Sequence, residues 1–271
     1  MSLSVQTNVA AFDAHRNLVN TSNQLASSMQ KLSSGYRINK AADDAAGLAI
    51  SEKLTSQIGG LDQAQRNAQD AVSLVQTGEG AMSEVTSMLQ RVRDLAVEFN
   101  NGTLSSSDQA AITAEVAQLC TEISRIGAST TFNGIALLTG GGSITFQVGA
   151  NDGETINVSA ASLFGSGASF DIDSAIFNFS GTVTLASIDT AIQNVSDARA
   201  NFGAVQNRLE HTLNNLSNYE ENLTASESSI KDVDMASEMV NFTKLQVLQQ
   251  AGTSMLAQAN QSPQSVLSLL R

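Results

Sequence analysis

Asp43 and Asp44 are the first residues in this chain that could do chemistry, as a paired acid and base or as ligands for a metal ion. Adjacent residues on a helix do not face the same point, and no His or Cys stands near them. They read instead as structural, at a helix start or an interface, because acids suit the positive end of a helix dipole. His15 and His211 lie outside any Ser-His-Asp or zinc spacing and read as ordinary surface or interface histidines. Cys120 is the only cysteine, so it forms no disulfide within the chain, and it reads as a small apolar residue at a helix seam. Residues 149–155, GANDGET, lack the D-x-[DN]-x-[DN]-G spacing and closing Glu of a calcium loop, which leaves a hairpin turn. With no convergent nucleophile, base or metal set, the expectation is a protein that is not an enzyme and uses no cofactor.

The elements that carry these residues are mostly helical. Apolar residues make up 42% of the 271, aromatics only 4%, and there is no Trp and one Pro. Burial therefore rests on Ala, Leu, Val, Ile and Met, which suits slim helix-helix seams. Ala11, Leu18, Leu25 and Leu32 recur every seven residues, with Met29 placed on the same face, and Ser33-Ser34-Gly35 breaks the helix. Over 61–99 two unbroken rows run, Leu61, Ala68, Val75, Met82, Leu89, Ala96 and Ala64, Ala71, Gly78, Val85, Val92, Phe99. As a helix that segment is roughly 58 Å long, at 1.5 Å per residue. Asn100-Asn101-Gly102 ends it.

Ser105 to Asp108 offer caps for a third helix with Ile112, Val116, Leu119, Ile123 and Ile126 on its apolar face. Residues 143–148 and 154–158 alternate like strands around the turn Asn151-Asp152-Gly153. Residues 165–184 are rich in Gly, Ser and Phe and carry no motif. A long helix over 185–223 returns with Ile188, Val195, Phe202, Leu209, Leu216 and Leu223 seven apart. The last helix, about 228–260, would show Met235, Met239, Phe242, Leu245, Leu248 and Met255 on one face, with Pro263 stopping it. The fold class is mainly α: a long antiparallel helical bundle or coiled-coil rod with a small β-hairpin region.

Formal net charge is −12. Residues 1–40 and 226–271 together hold seven basic and five acidic side chains, while 41–225 hold seven basic and 21 acidic. Near-neutral ends suit burial and an acidic middle suits solvent. Such a chain has no nucleic-acid footprint. No run of 18 apolar residues could insert in a membrane, and the start MSLSVQTNVAAF has no pattern of a cleavable signal.

Residues 30–50, QKLSSGYRINKAADDAAGLAI, and the closing LQQAGTSMLAQANQSPQSVLSLLR closely resemble bacterial flagellin. The resemblance covers residues 1 to about 164 and about 185 to 271, and Asp43-Asp44 fall within the family's RINxAxDDAAGxAI signature. It implies a short flagellin without the large outer domains, since only about twenty residues link the hairpin to the returning helix, too few for a domain. It also implies an inner coiled-coil domain from 1–40 and 231–271, and a rod domain from 41–184 and 185–230. The expected function is a structural subunit that polymerises into a helical filament for motility, extracellular, and exported without cleavage. The implied partners are further copies of the chain, the flagellar export apparatus, an export chaperone and the filament cap.

The expected polymerisation interface comprises Leu18, Leu25, Leu32, Met239, Phe242, Leu245, Leu267, Leu269 and Leu270. The stretch Gln90 to Val97 resembles the flagellin segment that host Toll-like receptor 5 recognises, with Arg91, Leu95 and Glu115 as its contacts; Asp94 and Glu98 depart from the usual Glu and Gln. Metalloprotease inserts occur in some flagellins, but no HExxH stands here. The alternatives are the hook–filament junction protein, which shares similar ends, and a coiled-coil binding module that forms no fibres.

Overall fold

Five helices among the described residues set the architecture. The computed structural model describes residues 8–139, 142–159 and 184–269, with side chains as far as Gln261. The helices are α1 (Val9–Ser34), α2 (Ala45–Phe99), α3 (Ser106–Ser129), α4 (Leu185–Lys231) and α5 (Met235–Leu269). Between α3 and α4 lie two antiparallel strand pairs, β1 (Thr131–Phe132) with β2 (Ile135–Ala136), and β3 (Ser143–Gln147) with β4 (Thr155–Ser159). The stretch 165–184 falls outside the described residues, except Thr184. The chain divides into two units, one of residues 1–56 with 222–271 and one of residues 57–221.

In the first unit α1 and α5 pair antiparallel. Asn8 Nδ2 donates to the Ala259 carbonyl at 2.8 Å, the Ser28 hydroxyl donates to Glu238, and Tyr36 bridges Asp232. The half-buried positions on α1 include Ala11, Leu18, Leu25 and Leu32, as their spacing predicts. On α5 the inward row is Glu238, Phe242, Leu245, Gln249, Gly252, Leu256 and Ala259. Gly252 lies close against α1 there: a Cβ would stand 3.2 Å from Leu18 Cδ1, a tight contact. Met29, Met239, Leu248 and Met255 lie off this face and stay exposed, while Met235, seven residues before Phe242, is on its row but exposed at the start of α5. The sequence reading merged them because both helices are apolar on more than the seam. Pro263 does not stop α5, which runs on to Leu269.

In the second unit every member of the two rows on α2 is buried. A third row, Leu74, Ala81, Met88 and Leu95, is buried or partly buried as well. It exists because α2 meets both α4 and the layer of α3 and the strand pairs. The α4 row Ile188, Val195, Phe202 and Leu209 completes the core, together with Ile112, Val116, Cys120 and Ile123 of α3. Leu119 and Ile126 only flank it. Ser105 and Asp108 form a capping box at the start of α3. The hairpin β3–β4 buries Ile156 and Val158, and Gly153 takes φ 87° in its turn. The shorter pair β1–β2 turns at Asn133-Gly134, at φ 48° and 80°, the dipeptide that two-residue hairpins favour.

Candidate functional surfaces

The Asp43-Asp44 pair is occupied by backbone amides. Asp43 Oδ2 accepts from the N–H of Asn39 at 3.0 Å and of Lys40 at 2.9 Å, which hold its carboxyl below the usual range. Asp44 Oδ1 accepts from Gly47 N–H at 2.8 Å and so caps α2. The helix thus begins at Ala45, sixteen residues before the first heptad residue read from the pattern, Leu61. A side chain at Gly47 would strike both Asp44 and Ile38, so the glycine lets this turn close. Gly35, at φ 77°, ends α1 on the other side.

A second clasp joins the entries to α2 and α5. Arg37 N–H donates to the Lys231 carbonyl at 2.7 Å, Val233 N–H donates to the Gly35 carbonyl at 2.9 Å, and the Lys231 ammonium stands 4.7 Å above the Tyr36 ring. Thr55 donates to Glu227 at 2.8 Å beside it.

His15 and His211 are both exposed, and Cys120 is buried with its thiol pushed up to about 11 by desolvation. A thiol held neutral in this way packs and does not attack. The GANDGET turn is tied internally: Glu154 accepts from the Asn151 backbone N–H at 3.1 Å and side-chain amide at 3.0 Å. Among the described residues no group of three or more His, Cys, Asp or Glu gathers to hold a metal.

What the molecule offers to partners is apolar helix surface. Phe12 on α1 is 69% exposed and Val240 on α5 is 71% exposed. Val9, Val19 and Met29 on α1, and Met235, Met239, Val247, Leu248 and Met255 on α5, are exposed as well. Of the residues expected at a subunit interface, Met239 lies on this outward surface. Leu18, Leu25 and Leu32 lie half-buried on α1, and Phe242 and Leu245 lie on the inward row of α5. Leu267 and Leu269 lie on α5 itself, not beyond a helix stop as Pro263 suggested, and their side chains, with Leu270, fall outside the described ones. Sequence reasoning did not single out the exposed Val9, Phe12, Val19, Val240 and Val247; on α1 the available signal was Phe12 and Val19, each one position after a row residue.

On the second unit Arg91 and Glu115 form an ion pair at 2.7 Å, both half-exposed, between α2 and α3. Leu95 is not on that strip. It is 2% exposed, inside the third row of α2, so its side chain is not offered to a docking partner. Its heptad position could not be assigned while only two rows were read.

Residues 5–142 match the family described as the bacterial flagellin N-terminal helical region, and residues 185–270 the bacterial flagellin C-terminal helical region. The chain belongs to the bacterial flagellin family. It is 50% identical to the flagellin of Halalkalibacterium halodurans, over 98% of this chain and 99% of that one. The flagellin of Bacillus subtilis is 45% identical and flagellin FlaB1 of Treponema pallidum 43%, each over 98% of this chain and 99% of the other. Among solved structures, Bacillus cereus flagellin is 35% identical, with a TM-score of 0.46 over 56% of this chain and 88% of that chain. A putative flagellar hook-associated protein of Vibrio parahaemolyticus shares the fold at 17% identity, with a TM-score of 0.50 over 70% of this chain and 97% of that one. This short flagellin is a structural subunit of the bacterial flagellar filament, serving motility.

Proposed function

We propose that flagellin subunits of this sequence join through the outward apolar faces of α1 and α5. The observation that carries this reading is the exposure of Phe12 and Val240, each about 70% open to water in the isolated chain. A valine side chain contributes roughly 1.5–3 kcal/mol when it is fully buried, so covering several such residues supplies a strong drive to assemble. The seam between α1 and α5 is a separate surface, used within the subunit. The acidic second unit faces solvent, and its charge tunes assembly without driving it.

We infer the finer partners from the family resemblance. Export through the flagellum's own channel, an export chaperone and the filament cap all have the exposed terminal helices to grip. Among the described residues no helix is long and apolar enough to cross a membrane, and the assembled filament lies outside the cell. Host Toll-like receptor 5 would meet the Arg91–Glu115 pair, a half-exposed and charged landmark on α2 and α3. Negative-stain microscopy of the purified chain after salt addition tests the assembly reading. Long filaments are expected; discrete dimers or trimers that never lengthen would favour a non-polymerising coiled-coil module.

A further inference from the structure

Four of the seven methionines are exposed on the terminal helices. Met29 is 55% exposed on α1, and Met235, Met239 and Met255 are 48%, 50% and 64% exposed on α5. Met82, by contrast, is fully buried in the second unit and Met88 is partly buried against its core. Two of the exposed sulfurs line apolar grooves: Met239 with Val240, Val247 and Leu248, and Met255 with Leu18, Leu248 and Gly252. A methionine in such a place is adaptable apolar surface, and it is also open to oxidants.

We propose that Met29, Met235, Met239 and Met255 are oxidation sites of the unassembled subunit, and that their sulfoxides keep it out of the filament. This rests on the reading that the outward faces of α1 and α5 are the joining surface. The reagent is a two-electron oxidant of the peroxide class. The thioether sulfur attacks one peroxide oxygen, the O–O bond breaks as the S–O bond forms, sulfur gives up two electrons, and the displaced hydroxide takes the proton from the transferred oxygen and leaves as water. The product is a polar, chiral sulfoxide where the interface needs an apolar group. Burying that oxygen without a hydrogen-bond donor opposes association. The sensitive state is the free subunit, because neighbouring subunits cover the same sulfurs once it is incorporated. Methionine sulfoxide reductases return the thioether, so the block is reversible.

The test treats soluble full-length chain with hydrogen peroxide, maps sulfoxides by peptide mass spectrometry, and sediments the protein after salt addition. The expected result is oxygen on the four exposed methionines while Met82 keeps its thioether. The protein left in the supernatant should rise about tenfold or more, since one unpaired buried polar group is worth that much in an equilibrium constant. Incubation with methionine sulfoxide reductases should restore pelleting. The proposal is overturned if the four sulfoxides form and pelleting is unchanged, if Met82 oxidises as fast as they do, or if removing the sulfoxides does not restore assembly. Untreated chain that fails to pellet would count against the joining-surface reading instead, and the peptide map would still decide which sulfurs react.

Discussion

A Cβ placed on Gly78 of α2 would stand 2.5 Å from Cε2 of Phe202 on α4. The two helices pass at this level because residue 78 has no side chain and the ring of residue 202 fills the space. Two residues on, Gly80 faces open space. The pair makes a controlled contrast. Gly78→Ala gains about 1 kcal/mol of helix propensity but overpacks a ring that is only 3% exposed, at a cost of about 1–3 kcal/mol. The expected net is destabilisation, and Gly78→Val is worse. Gly80→Ala should stabilise by up to about 1 kcal/mol. Thermal melts followed by circular dichroism decide it; equal shifts for the two alanines would contradict the close approach.

The helix pair α1–α5 should be the least protected part of a dilute subunit. Only Ser28 on α1 and Leu245 on α5 are fully buried among the described side chains. So little burial offsets poorly the entropy of ordering both helices. Hydrogen exchange on monomer should show fast amides over 9–34 and 235–261 and slow ones along α2 and α4 in the second unit. Protection of α1 and α5 equal to that of the 61–99 rows would refute this.

The proposed receptor contact gives two separable expectations. Arg91→Ala should leave folding intact and weaken signalling by soluble subunit about tenfold, the loss of a charged hydrogen bond worth roughly 1.5 kcal/mol. Leu95→Ala should instead lower the melting temperature, because deleting a buried leucine costs about 2–5 kcal/mol. A reporter-cell dose curve beside a melt for each variant checks both. An unmoved dose curve for Arg91→Ala removes that residue from the recognition strip.

How much of this was legible in the sequence depended on burial. Every residue of the two rows over 61–99 lies in the core, since a strict period of seven over 39 residues has one physical solution. Ser105 with Asp108, and Asn151 to Gly153, were equally readable, because caps and turns are local chemistry. The Asp43-Asp44 pair at a helix start was readable on the same ground, since Asp44 accepts from Gly47 N–H and caps α2. Two features were not. The third row with Leu95 depends on α2 having two partners. The split of α5 into an inward row and an outward apolar face depends on which stripe α1 covers, and both stripes look alike in composition.

Acid should loosen the start of α3. The Asp108 carboxyl is held below its ordinary value of 3.8, first by the Ser105 hydroxyl at 2.7 Å and then by the Ser105 backbone N–H at 3.1 Å. A depressed carboxylate stabilises the fold above its unfolded value, and that contribution fades as pH falls from there through the lower folded value. Ser105→Ala should cost about 1 kcal/mol near neutral pH, and the gap from wild type should narrow as the medium becomes more acidic than 3.8. Melts of both proteins across the acid range measure it; a gap that widens on acidification would reverse the assignment.

Sedimentation of wild type and Val240→Asp across a salt series tests the central claim most directly. Val240 is 71% exposed, so the substitution should leave the fold of the subunit unchanged. Residues 57–221 hold six basic and 18 acidic side chains, a net of −12, whereas the rest of the chain sums to zero. Salt screens the resulting repulsion over about 10 Å at 0.1 M. Wild type should therefore pellet more completely as salt rises, while Val240→Asp stays in the supernatant at every salt concentration with an unaltered melt. A variant that pellets as filaments alongside wild type would show that the outward face of α5 does not join subunits.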